Sequence, residues 1–198
     1  MCVELLLLVA LVHGDWQPAG TERGFAIEKR PAKGTSLFEV RVSGPVDLAP
    51  KQIFDVLWDV RAQKTFAPHI KRLDVVSEAK DSVVIYEQVE VPVVQDRDYT
   101  LRLRRLTDDN TQLYQVIAEN ADSLGPPPDK DHVRMKVIWS NFTIEPGDKG
   151  SVVTYHSFGD PAGDIPTWLK NAAATRAPLD FVLAIVKEAK LRQKRSAP

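Results

Sequence analysis

Among the residues able to do chemistry, Arg97-Asp98 stands out because it interrupts an otherwise apolar strand region. A guanidinium drawn inside a fold has two fates. It meets an anionic group or a hydroxyl of a ligand, or a protein carboxylate satisfies it entirely. The second is preferred, because buried charges are as a rule paired. Four tyrosines, Tyr86, Tyr99, Tyr114 and Tyr155, could turn hydroxyls into a cavity; more often such a ring fills core while its hydroxyl finds water or a carbonyl. The histidines, His13, His69, His132 and His156, have no metal-ligand spacing, and His156 reads as a structural residue of the last strand. Cys2 is the only cysteine, so there is no disulfide framework and no thiolate metal site. No Gly-x-Ser-x-Gly elbow, phosphate loop or dinucleotide fingerprint occurs. No catalytic residue, metal ligand or cofactor is assigned.

These side chains need a scaffold to bring them together, and the hydrophobic pattern predicts one. Strands are expected at 24–30 and 37–43, where Phe38, Val40 and Val42 alternate with Glu39 and Arg41 around a Lys33-Gly34 turn. A helix opened by Asp47 or Pro50 runs to about Asp59, with Ile53, Phe54, Leu57 and Trp58 as its apolar stripe. Six further strands follow at 73–77, 82–89, 99–107, 112–118, 133–144 and 151–158. Their short connections and the absence of intervening helices predict an antiparallel meander. The 122–129 segment, with three consecutive prolines, reads as a surface loop. After a turn at Asp160-Pro161…Gly163, Asp164 and Pro166 open a last helix that Pro178 should kink or restart. Leu179, Val182, Leu183 and Val186 form its apolar face, and Ala172, Ala173 and Ala174 leave room on one side.

The 198 residues suit one domain, and the 43% hydrophobic and 27% charged content is ordinary for a globular protein. A net charge of −1 gives no global field for nucleic acid. Residues 5–12 form an apolar run of signal-peptide length ending near Gly14, although Glu4 replaces the usual positive flank. Residues 1–14 are therefore read as an export signal for a periplasmic or secreted protein; without cleavage the protein is cytoplasmic. The domain is expected over 22–192, followed by a basic tail at 193–198.

Two segments carry a family resemblance: Tyr86-Glu-Gln-Val-Glu-Val-Pro-Val-Val-Gln-Asp-Arg-Asp-Tyr99, and Phe158-Gly-Asp-Pro-Ala-Gly-Asp-Ile-Pro-Thr-Trp-Leu-Lys-Asn171 with Pro178-Leu179 beyond it. Both resemble START (steroidogenic acute regulatory protein-related lipid transfer) domains, most closely the phosphatidylcholine-transfer branch. Ala162 departs from that branch's Pro-Gly-Gly turn, and Phe66 stands where Trp-Asp is frequent. The resemblance implies an α+β helix-grip fold of the START/Bet v 1-like kind, a curved antiparallel sheet wrapped around a long C-terminal helix. It implies one lipid in an apolar tunnel under that helix, the helix and nearby loops acting as a lid, and no catalysis. The motif places Glu87 on the strand beside Arg97, so an Arg97–Glu87 pair is expected. Ligand contacts are assigned to Arg97, Glu87, Tyr86, Tyr99 and Tyr155 from the sheet, and to Trp168, Leu169, Ala172 and Ala173 from the helix. Trp168 either packs on the sheet or anchors the tunnel mouth at a membrane.

The leading reading is a monomeric, non-catalytic carrier of a phospholipid, sterol or fatty-acyl lipid that visits membranes transiently. A second reading is a helix-grip enzyme of the polyketide cyclase or hydrolase type, which needs an inward acid–base set beyond the Arg97 pair, for instance His156 with Glu87 and a tyrosine. A third is a ligand-gated sensor.

Overall fold

The computed structural model describes residues 16–91 and 94–196. The strands are β1 (Gln17–Glu22), β2 (Phe25–Pro31), β3 (Phe38–Val46), β4 (Ile70–Ala79), β5 (Ser82–Val89), β6 (Arg97–Asp108), β7 (Leu113–Asn120), β8 (Val133–Arg134), β9 (Lys136–Gly147) and β10 (Gly150–Asp160). The helices are α1 (Pro50–Trp58), α2 (Val60–Phe66) and α3 (Thr167–Ser196). The strands form one sheet in the order β1-β2-β3-β10-β9-β7-β6-β5-β4. Every pairing is antiparallel except that of the two-residue β8, which runs parallel to β6.

Period-two alternation divides each strand between two faces. The inner face carries Val42, Val83, Ile85, Leu103, Val116, Phe142, Ile144 and Val153, all buried. Onto it α3 lays Leu179, Val182, Ile185, Val186 and Ala189, and α1 adds Ile53, Phe54 and Leu57 to the same core. Each fully buried aliphatic side chain stabilises the fold by about 1.5–3 kcal/mol, so this shared stripe fixes where the helix lies.

The structure differs from the sequence expectations in several places. The polar stretch after Asp15 forms β1, an edge strand joined to β2 through Arg23 and Gly24, both at positive φ (51° and 85°), which suits a tight two-residue hairpin. A second short helix, α2, follows α1 and buries Val60 and Gln63. The 133–144 strand is divided into β8 and β9.

Pro178 neither ends nor restarts α3, which runs unbroken for 30 residues. Its ring is buried beside Leu179, so apolar burial offsets the lost backbone bond. Asp164 is exposed and, among the described residues, accepts no amide of α3, whereas the Leu169 and Lys170 amides donate to the Pro166 carbonyl. The basic tail is helical through Ser196. The apolar run read as an export signal, together with Cys2, lies outside the described residues. No helix among the described residues is long and apolar enough to cross a membrane.

Candidate ligand-binding site

The β5–β6 register sets Glu87 opposite Tyr99 and Val89 opposite Arg97, and β4 sets Leu73 against Glu87. All these side chains share the inner face. Glu87 is buried, and the Tyr99 hydroxyl donates to its Oε2. Burial pushes the Glu87 carboxyl up to about 7, against the opposing effect of the Tyr99 bond. Burial, and then the Glu87 charge, raise the Tyr99 phenol well above its usual value. Tyr155 joins them from β10. Its ring lies 5.4 Å from Phe142 and 5.6 Å from Phe181 of α3, and burial raises its hydroxyl too. Ser140 and Ser157 face each other across β9 and β10 on the same side. Tyr99 and Tyr155 lie deep in the fold yet keep part of their surface accessible.

Arg97 does not pair with Glu87. Its Nε donates to the Pro161 carbonyl (3.2 Å), its Nη2 to the Ala162 carbonyl (3.4 Å) and its Nη1 to the Gln95 carbonyl. Glu87 already faces Tyr99, and Arg97 sits two residues earlier on β6, where the turn into α3 crosses its end. Tyr86 is displaced for a different reason. Adjacent to Glu87 in sequence, it must point to the other face, and its hydroxyl donates to Asp98 Oδ2 (3.0 Å). Arg134 Nε and Nη2 donate to the two Asp98 oxygens at 2.9 Å each. Burial works against the Asp98 charge, but the Arg134 and Tyr86 bonds hold its carboxyl below the usual range. This network fastens the 121–135 segment over the outer side of β5 and β6, and Tyr86 belongs to it. Tyr114 is core, its hydroxyl donating to Asp109 Oδ1 (2.9 Å).

On α3, Trp168 is 72% exposed and so is not packed on the sheet. Leu169 is half-buried, whereas Ala172 and Ala173 are exposed. Trp168 stands eleven and eighteen residues before Leu179 and Val186, about three and five helical turns, so it shares their stripe. Ala172, seven before Leu179, does as well. The inward stripe is thus uncovered at the N-terminal end of α3, where the alanines were expected to lie under cover. Asn171, on the same side of the helix, has a buried Oδ1 with no hydrogen-bond partner among the described residues. Asn171, Ser140 and Ser157 were missed as candidates; parity with Tyr155 marks Ser157, and the spacing to Pro178 and Val182 marks Asn171.

His156 lies on the opposite face from Glu87. Its Nε2 is 3.0 Å from Glu39 Oε2, and its ring meets Trp16 and Trp139 edge-on at 4.9 and 4.4 Å. Burial lowers its pKa, with Glu39 opposing. Among the described residues no group of three or more His, Cys, Asp or Glu side chains could hold a metal ion.

A family model described as "START domain" matches residues 5–192. The phosphatidylcholine transfer protein of Mus musculus is 31% identical over 191 residues, covering 94% of this chain and 88% of the relative. Two solved structures share the fold. A STAR-related lipid transfer protein from Xanthomonas axonopodis superposes with a TM-score of 0.78 at 22% identity, covering 88% of this chain and 98% of that one. Human StAR-related lipid transfer protein 5 gives 0.79 at 14% identity, covering 91% and 89%.

Proposed function

This chain belongs to the START domain family, and from that premise we propose that it binds one phospholipid between its sheet and α3 and carries it between membranes unchanged. The observation that carries the reading is the pair Tyr99 and Tyr155, enclosed by the fold yet partly accessible, beside a buried carboxyl and beneath the helix. That accessible surface inside the fold supports an apolar space beneath α3, and an apolar space with a few convergent polar groups suits a lipid. Burying an acyl chain contributes about 0.8 kcal/mol per CH₂, so a chain of ordinary length needs no covalent attachment to be retained.

The protein acts as a monomer and touches membranes briefly. Trp168 supports that contact, because an exposed indole at the head of the lid helix is suited to the headgroup region. Lys187, Lys190 and Lys194 support it as well; with Arg23 they rim a groove of about 740 Å³ along the C-terminal half of α3. The example set for the catalytic alternative does not converge, since His156 and Glu87 point to opposite faces of the sheet.

Native mass spectrometry of protein purified from its own host tests the proposal. A single bound phospholipid on a monomer is the expected result, with transfer of labelled phosphatidylcholine between vesicles. An empty protein that takes up no labelled lipid overturns it.

A further inference from the structure

Arg97 is only 2% exposed, yet among the described residues all three of its hydrogen bonds go to neutral backbone carbonyls. No carboxylate oxygen lies within 4.0 Å of its guanidinium among the described residues. A buried cation held this way is solvated by dipoles and has no ion-pair partner; the Asp96 charge acts on it from beyond contact distance, and Asp96 itself pairs with Lys71. The two loops it ties are the approach to β6, through Gln95, and the turn that launches α3, through Pro161 and Ala162. That turn is held in an unfavourable shape: Ala162 has φ +53°, followed by Gly163 at +64°. The left-handed region is disfavoured for a residue with a Cβ, so Ala162 relaxes when the turn is released. Arg97 also shares the inner face of β6 with Tyr99, two residues nearer the end of the strand.

We propose that Arg97 is an exchangeable latch: the phosphate of an arriving or leaving lipid takes its guanidinium from the Pro161 and Ala162 carbonyls and frees the turn at the base of α3. This rests on the carrier reading and deepens it, naming the ligand group that works the lid. The exchange is chemically favourable in direction. Guanidinium–phosphate bonds are charge-assisted and bidentate, and bonds to neutral carbonyls are weaker. A lipid without phosphate offers Arg97 no such exchange and leaves the turn closed.

Hydrogen exchange at residues 160–170 tests this in the intact protein, with dihexanoylphosphatidylcholine below its micelle concentration and dihexanoylglycerol as probes. Without lipid, Arg97→Met speeds exchange in the turn by about ten- to a hundredfold, the expected effect of losing two or three hydrogen bonds. Arg97→Lys, which keeps the charge but not the fork, falls between and serves if the methionine variant does not fold. In the wild type, the phospholipid speeds exchange at the turn and the diacylglycerol does not; in the variants this difference shrinks or vanishes. Unchanged turn protection in both variants overturns the latch. A wild-type protein that binds the phospholipid with no response at the turn overturns the exchange, while the carrier reading stands. If neither lipid binds, the carrier reading falls together with the exchange, and the lipid-free variants still decide whether Arg97 holds the turn.

Discussion

Burial raises the Glu87 carboxyl from 4.5 to about 7, so this residue binds its proton more tightly in the folded chain than in the unfolded one. Its contribution to stability is therefore complete below about pH 4.5 and is lost as pH rises through 7. The size of that contribution is on the order of 3 kcal/mol, at about 1.4 kcal/mol per pH unit. Glu87→Gln, nearly isosteric and uncharged, should match the wild type in thermal stability at pH 4, exceed it at pH 8, and flatten the profile between. Thermal melts across that range check it, and an unchanged slope would mean that Glu87 is ionised at neutral pH. The expected Arg97–Glu87 pair fails at this same scale. The sequence brings both residues to one face, but a carboxyl directly opposite a tyrosine takes the nearer donor.

At the scale of elements, the 121–135 segment depends on few side chains, because it has little regular structure of its own. Asp98 is 1% exposed and holds Arg134 through both oxygens, while β8 adds only two residues of pairing to β6. Arg134→Met leaves a buried carboxylate with Tyr86 as its remaining side-chain donor, and removing one partner of such a pair costs about 3–5 kcal/mol. The expected outcome is a lower melting temperature and faster hydrogen exchange over 121–135, with α3 unchanged at 179–189. Equal loosening of α3 would show that the segment and the helix open as one unit. Here the pH trend reverses. The Asp98 carboxyl is held low, so its contribution is present at neutral pH and is lost as pH falls.

For the whole molecule, α3 is anchored at one end and open at the other. Leu179 to Ala189 sit in the core, while Trp168 projects from the end next to the strained turn. Trp168→Ser should slow lipid transfer between vesicles several-fold, because an indole at the bilayer interface shortens the search for a membrane. The amount of lipid bound at equilibrium should stay within about twofold, since one exposed side chain contributes little to an interior site. Transfer rates and bound lipid, measured on the same preparation, separate the two. A parallel fall in both would place Trp168 inside the site.

The antiparallel meander, the inward Val40 and Val42 of β3 and the apolar stripe of α3 were legible in the sequence, because periodicity of two and of 3.6 is written in residue types. Its two motif segments also pointed to the family. It did not reveal β1, whose polar residues sit on an exposed edge with no apolar pattern to betray them, or α2, too short for a periodic signal. Partners, by contrast, were set by contacts between distant segments. Asp98, which accepts from Tyr86 on the neighbouring strand, is completed by Arg134 from 36 residues away, Arg97 went to carbonyls of a turn 64 residues on, and Pro178 stayed in the helix because its ring found the core. Local pattern sets which face a side chain takes, whereas its partner depends on how distant segments come to rest across that face, and that is fixed only when the chain has closed on itself.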